Sequence, residues 1–271
     1  MIKLVDLLLE KAIKIPQDQL SKVGPAFSYI EKNMTALKKK SPKSYTEDPY
    51  VPKGFKDLFQ LKDLRGNMVF VSLGLYDEPE DQAYARADQG NRAVMVNLDK
   101  VRDKYDMETN VEHELVHMID PKAFDPELDA KLGSPAPTPP GEDATAEEIE
   151  QYEQDFVKHI GSPAEFDAHT ATLVNTISMG LSKKDKPAET MRAVKRQLTK
   201  MLSDIRTEDR GTVYERYKNT AVPFLFMRGP WIKDRLSVAQ DNFYDELVKI
   251  KAWSTDDALY RRFVKRLAME M

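Results

Sequence analysis

Cysteine is absent from the 271 residues. Disulfides and every thiolate metal site are thereby excluded, so a bound metal has only imidazole nitrogen and carboxylate oxygen to draw on. Histidine is scarce: the four residues His113, His117, His159 and His169 all fall in one stretch of the chain. No apolar run approaches membrane-spanning length. Residues 1–10 interrupt their apolar run with Lys3, Asp6 and Glu10, which reads as an amphipathic helix and not a secretory leader. A cytoplasmic protein with no membrane partner is expected. An excess of one charge is also missing. With 41 Lys and Arg against 45 Asp and Glu, the formal net charge of −4 exerts no overall pull toward nucleic acid. Hydrophobic residues at 41% and charged residues at 32% suit a chain that buries a large core in one or two domains.

What is present is the run His113-Glu114-Leu115-Val116-His117. On an α-helix, residues four apart share a face, so both imidazoles reach one metal ion while Glu114 points toward its open side. At 100° per residue, Met107, Val111, Leu115, Met118 and Ile119 gather on one face and the two histidines on the other. Asp106 caps the helix, or Thr109 opens it with Glu112 in a capping box; Pro121 ends it. The plain alternative is a pair of exposed histidines on an amphipathic helix.

This run resembles the metal-binding helix of the zincin metallopeptidases, with the resemblance extending over residues 66 to 180. The metzincin branch is excluded, because Asp120 and Ala123 stand where it carries Gly and a third His. The gluzincin branch takes its third ligand from a Glu on a later helix. Downstream lies Ser162-Pro163-Ala164-Glu165-Phe166-Asp167-Ala168-His169, where Glu165 and His169 share a helical face and Asp167 points elsewhere. The resemblance implies a Zn²⁺ site of His113, His117 and Glu165, with His169 orienting a ligand or stabilising the transition state. Members of this branch often carry Asp one turn after the Glu ligand. The His169 found here leaves His169 open as the ligand in place of Glu165. Glu165 also has a purely structural reading, as the N3 member of a capping box with Ser162 as cap and Pro163 at N1. Asp120 is either a hydrogen-bond partner for a ligand's second ring nitrogen or a helix-end acid. His159 ends a charged helix and reads as solvated.

The rest of the chain predicts an α+β, predominantly helical fold: a zincin-like core with a small mixed sheet on the metal helix, flanked by helices. The expected divisions are 1–62, 63–182 and 183–271, taken together as one compact unit. The first holds a short helix stopped by Pro16 and a second over residues 17–40, weakened near Gly24-Pro25. Strands are expected at 67–73 and 92–98 with a polar connection between them. By the resemblance, the second strand borders the cleft, so substrate lies extended along Val94 to Asn97. A stiff Pro-rich loop at 133–141 leads into an acidic helix. The helix opened at Pro163 stops at Gly180 as its C′ residue. Beyond it, Met191, Val194, Leu198, Met201, Leu202 and Ile205 recur at helical spacing and read as core. Arg261, Arg262, Lys265 and Arg266 form a basic face. Tyr214, Arg216, Tyr217 and Arg228 are candidates for the oxyanion side.

The function implied by the resemblance is zinc-dependent hydrolysis of a peptide or protein substrate, with Glu114 as general base. A second reading is a structural or assembly protein on a zincin scaffold with an idle or stabilising metal. Residues 1–10 bear a short resemblance to the starts of some tailed-phage proteins, which would make it virion-associated with an assembly partner. Nucleic-acid binding by the C-terminal basic helices ranks last, since no recognisable module accompanies them.

Overall fold

The computed structural model describes residues 13–120, 137, 145–183 and 186–271. The helix expected at the N-terminus, the stop at Pro121 and nearly all of the Pro-rich loop lie outside the described residues. The chain is α+β and predominantly helical, with one small mixed sheet. Helices α1 (Gln17–Leu20) and α2 (Val23–Lys40) precede strands β1 (Phe59–Lys62), β2 (Met68–Tyr76), β3 (Ala85–Asp88) and β4 (Ala93–Asn97). Helices α3 (Lys104–Ile119), α4 (Ala146–Gly161), α5 (Pro163–Leu181), α6 (Ala188–Thr207), α7 (Arg210–Tyr217), α8 (Leu236–Ser254) and α9 (Asp257–Glu270) follow. None of the described helices is long and apolar enough to cross a membrane.

The break between α1 and α2 falls at Ser21-Lys22 and not at Gly24-Pro25. Pro25 sits in the first turn of α2, where an amide has no intrahelical acceptor to lose. Sheet order is β1-β2-β4-β3, with β2 and β4 parallel and the two outer pairs antiparallel. β4 is buried along its whole length, as expected of a strand paired on both sides. β1 and β3 were not legible in the sequence. β3 reads Ala-Arg-Ala-Asp, with no β-branched or aromatic residue to signal a strand.

α3 is capped six residues before the expected capping box at Thr109 and three before Asp106, the other expected cap. Asp103 is its N-cap and accepts the Tyr105 amide at 2.6 Å; Thr109 lies inside the helix and donates to the Tyr105 carbonyl. Its apolar stripe is buried as the periodicity requires, with Met107, Val111, Leu115, Met118 and Ile119 in a core shared with the sheet and α2. A second core unites Phe166, Leu173 and Ile177 of α5 with the expected stripe of α6 and with α8 and α9. α5 therefore presents one face to each core, with Ala168 packed into the first. α5 runs past Gly180 to Leu181. Gly180 is instead a close-approach residue: a Cβ there would stand 3.1 Å from Leu225 Cδ2 and 3.4 Å from its Cα.

Part of the basic face on α9 turns inward. Arg262 and Arg266 both donate to Asp167 of α5, at 2.9 and 2.6 Å, and Arg266 also reaches Thr170 Oγ1. Asp167 and Arg266 are almost wholly buried, so these charges pin α9 to α5 and do not form a surface stripe.

Candidate metal centre

α3 and α5 pack against each other and bring three donors together. His113 Nε2 and His117 Nε2 are 3.1 Å apart. Glu165 places Oε2 3.3 Å from His113 Nε2 and Oε1 3.4 Å from His117 Nε2. Donors about 2.1 Å from a tetrahedral ion stand about 3.4 Å from one another. Each imidazole has a Glu165 oxygen near that separation, Oε2 for His113 and Oε1 for His117, and with one donor atom from each residue the three lie within 4.8 Å of one another. Two imidazoles with a carboxylate are a donor set that a divalent ion accepts. The residues present fit a metal ion.

The capping role weighed for Glu165 is not what this geometry has. The Ser162 amide, which a capping-box Glu would accept, donates instead to the His159 carbonyl at 3.0 Å, and the Ser162 side chain makes no cap bond. Ser162 is at once the C-cap of α4 and the N-cap of α5. This one-residue corner sends Glu165 toward α3 from one side and His159 from the other. His159, expected in solvent, has its Nε2 3.9 Å from Glu165 Oε2 and is only 15% exposed. His169 lies one turn beyond Glu165 with Nε2 3.7 Å from the same oxygen, its ring 4.4 Å from that of His113. All four histidines of the chain thus surround one carboxylate. Their shared confinement to residues 113–169 was the signal for His159, but it does not separate a solvated imidazole from a gathered one.

Electrostatics reflect this crowding. Burial would raise the Glu165 carboxyl, but the His113 and His117 imidazoles hold it well below the usual range. Burial would lower His117; Glu165, with Glu114 and Asp120, holds it up to about 9. Burial, then Lys249 and His113, push His169 well below its ordinary value. Asp120 is buried beside His117 at the end of α3, and its charge favours the protonated ring. Burial raises Glu114, and its neighbour Glu165 adds to that, while the two imidazoles and the backbone of Ala87 on β3 act to lower it.

That contact brings the edge strand to the site. The strand expected to border the cleft, Val94 to Asn97, is the inner strand β4, paired with β2 and β3, and has no free edge. Among the described residues the sheet's edge strands are β1 and β3, and β3, whose one strand partner is β4, is the edge beside Glu114. The Asn97 amide donates to the Tyr84 carbonyl at 2.9 Å, which makes Tyr84 and Asn97 a hydrogen-bonded antiparallel pair. By alternation Arg86 and Asp88 also face β4, and the backbone groups of Ala85 and Ala87 point outward.

None of the four oxyanion candidates reaches the site. Arg228 gives its three nitrogens to Glu108, Glu112 and Thr176. Arg216 pairs with Asp204 and Glu208, Tyr217 donates to Asp204, and Tyr214 packs on Phe243 and Tyr244.

The sequence matches no protein-family model, no curated protein and no solved structure. The functional reading rests on the residues and their geometry.

Proposed function

We propose that the protein is a metal-dependent peptidase with a zincin-like centre, in which His113, His117 and Glu165 hold a divalent ion, zinc by donor set. The observation that carries this reading is the cluster of two imidazoles and a carboxylate within 4.8 Å of one another, with a raised, half-buried Glu114 between it and the edge strand β3. When bound, such an ion supplies Lewis acidity toward a carbonyl and lowers the pKa of water. Glu114 is the general base: it accepts a proton from the attacking water and passes it to the departing amine nitrogen. A carboxyl raised by burial is better matched to both halves of that transfer than one at its ordinary value. His169, kept neutral, offers a hydrogen-bond donor beside the cluster for the developing oxyanion. The outward N–H and C=O of Ala85 and the C=O of Ala87 would pair with an extended peptide added as a fifth strand, while the Ala87 N–H is given to Glu114.

Metal analysis of protein purified without added metal should find about one zinc per chain. The wild type should cleave members of a mixed peptide library, and a chelator should stop it. Glu114→Gln should keep the metal and lose turnover. Cleavage that survives in E114Q, or that ignores the chelator, removes this mechanism. Bound zinc with no cleavage of any peptide would favour the assembly-protein reading.

A further inference from the structure

We infer that His159 is a positioning residue for Glu165, holding the carboxylate in the orientation that completes the metal site. The inference rests on the metal-site reading above and adds to it a residue that is not one of its donors. The two oxygens of Glu165 have unequal surroundings. Oε1 meets His117, whereas Oε2 faces His113 at 3.3 Å, His169 at 3.7 Å and His159 at 3.9 Å. A carboxylate that gives one oxygen to an ion keeps the other, and in a largely buried place that oxygen must be met by donors.

His169 rides on the same helix as Glu165, one turn further on, so it moves with the carboxylate and cannot anchor it against the rest of the protein. His159 comes from α4 and is anchored independently. The carbonyl of the next residue, Ile160, accepts the Trp253 indole N–H at 3.1 Å. Ile160 and Trp253 are fully buried, and Trp253 packs edge-on against Phe166, whose amide donates to the Ser162 carbonyl at 2.8 Å. The corner, the indole and α8 therefore form one rigid mount that presents the His159 ring to Oε2. At 3.9 Å the approach is longer than a hydrogen bond. It acts through the ring's polarity in a low-dielectric setting, where orientation of a charged neighbour is strongly favoured. Partners that hydrogen-bond a metal ligand contribute about 10–100-fold to metal affinity without touching the ion, and a polar contact at 3.9 Å falls at the low end of that range.

The test is a zinc titration of the full chain against a competing chromophoric chelator. It compares wild type with His159→Phe, which keeps the ring's volume without a polar nitrogen, and with His159→Gln, which returns an N–H at similar reach. We expect zinc affinity to fall roughly 10-fold in H159F and to recover to within about twofold of wild type in H159Q. Helical circular dichroism should be equal in all three. X-ray absorption on the zinc-loaded proteins should show two imidazole nitrogens in wild type and in H159F alike. Wild-type affinity in H159F, an H159Q as weak as H159F, or a nitrogen lost from the zinc in H159F would each overturn the inference. These results leave the metal site itself standing. Failure of the wild type to take up zinc would instead bring down the metal-site reading and this role together.

Discussion

Arg228 and Glu112 form an ion pair in which each side chain is 1% exposed. Glu112 adjoins His113, and its other oxygen accepts from Asn175 Nδ2 of α5 at 2.7 Å. Arg228 also donates to Glu108 one turn earlier on α3, at 2.7 Å. The face of α3 that carries these two glutamates is therefore tied to α5 and to the 227–229 segment, fixing the helix against rotation. Removing one member of such a pair leaves a buried charge without its partner, which costs about 3–5 kcal/mol. Arg228→Met should destabilise the protein by that amount in urea denaturation. The double variant with Glu112→Gln should cost less than the sum of the two singles, because the fully buried Glu112 charge is then gone and only the partly exposed Glu108 loses its partner. A loss under about 1 kcal/mol in R228M would show that the pair does not hold α3.

Substrate pairing along β3 has its own signature. Ala85 is one of the two residues on that strand whose amide points away from β4, so proline there spares the sheet ladder. Ala85→Pro should raise KM for peptides about 5-fold, the equivalent of one hydrogen bond of about 1 kcal/mol, with kcat nearly unchanged. An unchanged KM would place the substrate elsewhere.

Acid stability should depend on Asp77, which is 7% exposed and bonded to Lys43 and Lys38. Burial would raise its carboxyl, but the two lysines pull it below the ordinary 3.8. A depressed native pKa contributes stability that is complete above the unfolded value and lost as pH falls through the native one. Both lysines reach solvent, so the contribution is about 1 kcal/mol. Asp77→Asn should lower Tm by a constant margin from neutral pH down to about pH 5, and the margin should close below about pH 4. A margin that widened in acid would reverse the sign of this coupling.

Some of the fold was legible because its signals are local. The apolar stripe of α3 is a matter of 3.6-residue periodicity, and Met107, Val111, Leu115, Met118 and Ile119 are buried as that period demands. The same holds for the α6 stripe from Met191 to Ile205, which is buried throughout. Where two local signals competed, the sequence misled: Thr109 and Glu112 spell a capping box, yet Asp103 caps a helix that starts earlier and runs through both. Gly180 looked like a helix stop, but packing against Leu225 accounts for it. β3 carries too little propensity to be seen at all, and it becomes a strand because β4 offers it a ladder.

The sequence by itself determined that His113 and His117 share one face of a helix with Glu114 beside them, because neighbours in the chain set helical phase. Only the tertiary structure decided which groups meet that face. The Ser162 corner and the packing of α5 between two cores carry Glu165 and His159 to it, and strand order puts Ala85 and Ala87 on a sheet edge. Contacts between residues far apart in sequence depend on how whole elements pack, and no period within a single element encodes that.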